Sequence, residues 1–137
     1  MPDSPKIGVA AAVKNHLGEF LAVRRGHAPE EGRWALPGGH LEWGESLGDA
    51  VRREVYEEVQ IDIVAGPLLH VAEIIMPSAH FIVLDFAAEI KGSEFLRPDS
   101  DAAEARWVSP DDLGQFSWAA GMSVFFQDAK VRSYLCL

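Results

Sequence analysis

The stretch from Ser46 to Val59 constrains this chain more than any other. Leu47, Ala50, Val51, Val55 and Val59 recur there at spacings of three and four, and Ser46-x-x-Asp49 offers a capping-box start, so a helix is expected over 46–59. At about 100° per residue its apolar arc centres near Val51. Glu54 and Glu58 fall within or beside that arc and Glu57 lies at its edge, so three carboxylates at i, i+3 and i+4 crowd the border of a buried face. Carboxylates in contact and partly shielded from water must take up protons or share a cation, and hard oxygen donors of this kind suit Mg²⁺, with Mn²⁺ as a substitute. The alternative is a solvated acidic face, the common fate of a Glu-x-x-Glu-Glu run, and the position of these acids on the helix speaks against it. Arg53, four residues before Glu57, can hold its carboxylate in place. Just upstream, Gly38-Gly39 lets the backbone approach a metal or phosphate closely, with a carbonyl as a further oxygen ligand. By itself Pro37-Gly38-Gly39 would mark only a tight turn.

The rest of the chain reads as strands with short helices. Residues 6–13 and 20–23 are expected as two strands in a hairpin-like arrangement around Asn15–Gly18. A loop follows over 26–33, with Pro29 and Gly32, and Pro-Gly-Gly ends any strand after Trp34. Residues 68–75 and 80–90 read as strands joined by a turn at 76–79, and 105–108 as another. A helical turn after Ser109-Pro110 and a helix over 117–128 complete the pass. The expectation is one domain over residues 1–137, in the α/β class, with helices packed on a mixed sheet.

Charge narrows the partners. Against 12 Lys plus Arg stand 21 Asp plus Glu, a net charge of -9, which repels a phosphate backbone; no nucleic-acid partner is expected, and a phosphate ligand needs a cation to mediate. The one cysteine, Cys136, can make no intramolecular disulfide. With no signal peptide and no apolar span of membrane length, a cytoplasmic location without membrane contact is expected; a homodimer stays open.

These residues resemble the Nudix hydrolase family, whose box is G-x5-E-x7-R-E-U-x-E-E-x-G-U with U a bulky aliphatic residue. Gly39, Glu45, Arg53, Glu54, Val55, Glu57, Glu58 and Ile61 stand in register with it. Trp34, Leu36-Pro37-Gly38 and Glu104-x-x-Trp107 also look like the family. One position departs: Gln60 replaces the glycine that suits a left-handed helix exit. The resemblance implies an α/β/α sandwich with a mixed sheet that hydrolyses a diphosphate linkage in a nucleoside diphosphate joined to a group X. Carried over by position, Glu54, Glu57 and Glu58 would bind metal together with the backbone of Gly39 or Gly38. Arg53 would orient the glutamates and Glu45 would support the helix start. Glu54 leads as general base, with Glu57 and Glu104 open; Glu104 also reads as a solvated acid beside Asp99 and Asp101. Gly38 and one of Arg24 and Arg25, taken as Arg25, would contact substrate. Trp34, Trp43 and Phe81 could stack on a base but read first as core or rim, and His40 and His80 receive no role.

Two substrate classes compete. The compact length and the run Leu36 to Glu45 are similar to the MutT-type nucleoside triphosphate pyrophosphohydrolases, which release a nucleoside monophosphate and pyrophosphate. Pro77, 16 residues after Ile61, falls close to a proline of the family's ADP-ribose hydrolases, although proline is common in turns on its own account. The triphosphate is preferred. A nucleotide-sugar pyrophosphatase is the alternative, and a non-catalytic nucleotide-binding domain is disfavoured because all the box glutamates are present.

Overall fold

A computed structural model describes residues 4–28, 30–99 and 102–137; Pro29 of the expected loop and Asp101 of the acidic segment lie outside the described residues. In chain order the elements are β1 (Lys6–Val13), β2 (Phe20–Arg25), β3 (Trp34–Ala35), β4 (Gly38–His40), α1 (Leu47–Val59), β5 (Ile63–Met76), β6 (Ala79–Ile90), β7 (Ala102–Val108), a 3-10 helix (Pro110–Gln115), α2 (Met122–Gln127) and α3 (Ala129–Leu135).

The strands form two sheets, ordered β4-β1-β6-β5 and β3-β2-β7. The first is mixed: β1 runs parallel to β6 and antiparallel to β4, while β5 and β6 form an antiparallel hairpin. Because β1 and β2 each lie centrally in a sheet, both faces of each must be covered, and their near-continuous apolar runs follow from that. Val9, Ala11 and Val13 of β1 and Leu21 and Val23 of β2 join one core with Ala50, Val51, Val55 and Val59 of α1. The alternate residues Ala10, Ala12, Phe20 and Ala22 join a second core with Met122 and Phe125 of α2 and Val131 and Leu135 of α3. The result is the expected α/β/α layering.

Four expectations need correction. β1 and β2 are no hairpin; beyond one bridge, Lys14 to Phe20, they diverge into separate sheets, because each already has two partners. Gly38-Gly39 does not end a strand but forms one, β4, pairing with Val9 and Ala10. β5 begins at Ile63 rather than residue 68, since register shifts absorb Gly66 and Pro67. The helix expected over 117–128 is helical only as α2, from Met122 to Gln127, and a second helix, α3, follows beyond the expected range; Asp128 ends α2 and caps α3, its side chain accepting from Lys130 N at 2.9 Å.

Candidate active site

α1 begins as its sequence specifies. Ser46 is the N-cap, its Oγ accepting from Asp49 N at 3.2 Å. Ala50, Val51, Val55 and Val59 are fully buried, and the acids follow the predicted arc: Glu58 is 8% exposed, Glu54 is mostly buried, and Glu57 is half exposed.

Arg53 organises this face. Its Nε donates to Glu45 Oε2 at 2.7 Å and its Nη2 to Glu45 Oε1 at 2.9 Å and to the His40 carbonyl at 3.0 Å. Its Nη1 donates to Glu54 Oε1 at 2.7 Å and more loosely to Glu57 Oε2 at 3.4 Å. All five guanidinium N–H groups are thus used, a pattern that the three donors of a lysine cannot reproduce. Glu45 therefore does more than support the helix start; it locks the β4–α1 loop to Arg53 and also accepts from Glu42 N at 3.2 Å. The hydrogen bond from Arg53 holds the Glu45 carboxyl below its ordinary range. Burial pushes Glu54 the other way, only partly offset by Arg53.

Gly39 is needed because of Glu54: a Cβ there would collide with the Glu54 carboxylate. At Gly38 a Cβ would instead strike the β1 backbone at Val9 and Ala10. The ladder also separates the two carbonyls. Ala11 N donates to Pro37 O and Leu41 N to Ile7 O, so the odd-numbered residues of β4 face β1, and the carbonyls of Gly38 and His40 face outward, the latter onto Arg53. The outward carbonyl of the pair is Gly38's, not Gly39's.

Among the described residues no three His, Cys, Asp or Glu side chains already converge as a metal cage. The donor chemistry still fits a hard divalent ion: Glu54, Glu57 and Glu58 share one helix edge, the Gly38 carbonyl faces outward, and half-exposed Glu57, held by one long bond, can turn without breaking the core.

Glu104 is not with them. It lies opposite Arg24 on the β2–β7 ladder, on the face of Trp34 rather than that of α1. Arg106 Nε donates to it at 2.7 Å and Arg24 Nε at 3.2 Å, and these arginines hold its carboxyl low. With Arg24 so engaged, alternation along β2 leaves Arg25 on the α1 side. Trp34 is core, edge-on to Phe116; Trp43 is fully exposed; Phe81 sits at the rim, its ring centroid 5.9 Å from that of His40. Pro77-Ser78 forms the turn between paired Met76 and Ala79.

Sequence reasoning missed a second polar cluster, on the face away from α1. Asp85 of β6 is 5% exposed and pairs with His70 of β5, whose Nδ1 lies 2.7 Å from Asp128 Oδ2. Its one legible trace is an acid inside the apolar run 82–88.

The NUDIX domain profile matches residues 4–129. A NAD-capped RNA hydrolase NudC of Stutzerimonas stutzeri (strain A1501) is 32% identical over 109 residues, 80% of this chain and 39% of the relative. An ADP-ribose pyrophosphatase of Methanocaldococcus jannaschii is 32% identical over 102 residues, 73% of this chain and 60% of the relative, so the chain spans less than two thirds of either protein. The crystal structure of a MutT NUDIX hydrolase from Burkholderia pseudomallei superposes with a TM-score of 0.80 at 30% identity, over 93% of this chain and 99% of that one. With the box helix, its glycine partner and the layered fold in place, the chain belongs to the Nudix hydrolase family.

Proposed function

We propose that this chain, acting as one domain, hydrolyses a nucleoside triphosphate to the monophosphate and pyrophosphate, with Mg²⁺ (or Mn²⁺) held by Glu54, Glu57, Glu58 and the Gly38 carbonyl. The observation that carries the reading is the five-bonded Arg53, which fixes Glu45 and Glu54 against β4 while leaving Glu57 half exposed on one long bond. The bound metal supplies charge neutralisation for the phosphate oxygens and acidifies a water. Glu54, raised by burial, is the carboxylate best suited to take a proton from the attacking water. Arg25, on the α1 side of β2, is the cation for a substrate phosphate. Glu104, held low by two arginines on the other face, is set aside as base.

A triphosphate is favoured over ADP-ribose on two grounds. The MutT structure superposes more closely, with a TM-score of 0.80 at 30% identity, than the crystal structure of an ADP-ribose pyrophosphatase from Streptococcus suis, which is matched over 90% of its chain with a TM-score of 0.69 at 25% identity. Pro77 has a sufficient reason to be where it is, since it makes a two-residue turn. The net charge of -9 favours a small nucleotide over an RNA chain. The test is a Mg²⁺-supplemented panel of canonical and oxidised triphosphates beside ADP-ribose, with products identified. A higher kcat/KM for at least one triphosphate, releasing pyrophosphate, is expected; a tenfold preference for ADP-ribose overturns the choice.

A further inference from the structure

β5 is the outermost strand of the four-stranded sheet, and among the described residues no strand pairs with its free side. An edge of this kind is a template for another strand, and proteins blunt it with prolines, bulges and charges. In β5 those devices are confined to the first half, where the register shifts and Pro67 lie between Ala65 and His70. From His70 to Met76, seven consecutive residues keep unbroken register with β6, and Glu73 is the one acid among them.

The sheet beside this half-strand is apolar and uncovered. Val71 lies in one row with Leu84 and Val9, so alternation puts Val71, Glu73 and Ile75 on the α1 face, with Ile82 and Ile7 in the row of Glu73. Val9 is buried in the core under α1, yet Ile7, Val71, Ile75, Ile82 and Leu84 pack into neither core. Ile75 is 70% exposed, Val71 47% and Ile7 37%. Single exposed apolar residues are ordinary, but five joined on one sheet face that ends at an open strand edge mark an interaction surface.

We propose that a second copy of this chain docks here, the two β5 strands pairing antiparallel through residues 70–76 about a two-fold axis normal to the sheet. Two requirements select the copy. The occupant must bring a free strand edge and apolar side chains on the same face, and the two-fold supplies both, since it keeps like faces together and joins the two apolar floors. It must also be nearly uncharged where it touches, and on a chain of net charge -9 the segment 70–76 carries one acid, so most of the repulsion between copies acts over distances that salt screens. A seven-residue edge about 23 Å long and about 10 Å deep, with the floor beside it, buries on the order of 500 Å² per copy, about 1,000 Å² in all, the size of a reversible dimer rather than an obligate one. The joined sheet has eight strands with β4 at either end, which leaves both α1 sites open.

The test is sedimentation velocity of the intact protein from about 1 to about 200 µM, beside Ile75→Lys, Val71→Lys and Leu17→Lys. Leu17, 69% exposed in the turn between β1 and β2, is the control for an apolar-to-lysine change away from β5. All three side chains are exposed, so the monomer tolerates each lysine, and the two β5 variants serve for one another if either does not fold. Wild type is expected to dimerise with a Kd on the order of 10 µM. Lysine at 71 or 75 should raise that Kd at least tenfold, and lysine at 17 should leave it within twofold. Hydrogen exchange places the contact: amides within 70–76 should exchange at least fivefold more slowly at the high concentration than at the low one. A wild type that stays monomeric at about 200 µM, leaving the floor to a different protein or to none, overturns the proposal. So does a dimer that both β5 lysines leave intact, or one in which residues 70–76 gain no protection.

Discussion

The two faces of the sheet carry acid–cation clusters of opposite character. On the α1 face, Arg53 meets carboxylates and a carbonyl with all five of its donors, at a border that water reaches. On the other face, Asp85 and His70 are almost wholly buried, and one ring nitrogen has no partner. The first arrangement uses every donor of Arg53 and holds a helix and a loop in fixed relation. The second leaves a ring nitrogen and a carboxyl group buried, and that burial is costly.

The sharpest way to break this comparison is at the helix edge. Glu57→Gln and Glu58→Gln each remove an anionic oxygen at constant shape, forfeiting several kcal/mol of charge stabilisation, about a thousandfold in kcat/KM. Stability without metal should hold or rise as like-charge repulsion is relieved. Glu104→Gln, on the far face, should cost less than tenfold. Equal losses at Glu104 and Glu57 in steady-state kinetics would return Glu104 to the site, and excess chelator should abolish wild-type turnover.

Arg53→Lys tests positioning next. A lysine keeps the charge but leaves at least two of five acceptors unserved, at roughly 2 kcal/mol of stability read by urea unfolding. Glu54, relieved of its best donor, should titrate higher, so the acid limb of the pH–rate profile should move to higher pH. An unmoved limb would remove Glu54 from the base role.

The buried face gives a smaller effect with a distinctive pH signature. Burial pushes Asp85 up to about 7 from 3.8. Its folded value is raised, so the folded state holds the proton more tightly; the favourable contribution is complete below about pH 4 and is lost as pH rises to about 7. Above that, holding the charge costs on the order of 4 kcal/mol. Asp85→Asn abolishes this titration, although a buried amide returns part of the gain. The variant's thermal midpoint should exceed wild type at pH 8, by about 2 kcal/mol equivalent, and converge with it toward pH 4. A constant difference across that range would show that burial does not shift the titration of Asp85.

What was legible in the sequence follows the range of the forces involved. The helix bounds and the burial of Glu54 and Glu58 come from periodicities of three and four, which one helix expresses by itself, whereas Arg53, expected to hold Glu57 four residues on, is bonded chiefly to Glu45, Glu54 and the His40 carbonyl. The parting of β1 from β2 depends on partners far along the chain, Phe81 to Ala88 for one and Ala102 to Val108 for the other. No local pattern encodes that choice. Gly38-Gly39 misled for a related reason: glycine weakens a strand unless something approaches it closely, and here the close approach is made by β1 on one side and Glu54 on the other. The cluster of His70, Asp85 and Asp128 was invisible because 58 residues separate His70 from its hydrogen-bond partner.

The smallest predicted effect concerns the one box position that departs from the family. Gln60 ends α1 with φ 59 and ψ 33, its N–H bonded to Tyr56 O at 2.9 Å, so the left-handed exit is kept despite the missing glycine. A side chain in that conformation costs about 1–2 kcal/mol, whereas glycine adopts it freely and loses roughly 0.5–1 kcal/mol more chain entropy on folding. Gln60→Gly should therefore gain only about 0.5–1 kcal/mol, or a few degrees in Tm for a domain of this size. Because the conformation is already native-like, α1 should not move and kcat/KM should stay within twofold of wild type. The comparison between the two faces sharpens accordingly: a change at the α1 exit that alters stability but not turnover marks this strain as purely structural. A drop in turnover would instead show that the exit loop carries Glu57 or Glu58 with it, tying the acidic edge to the segment that follows α1.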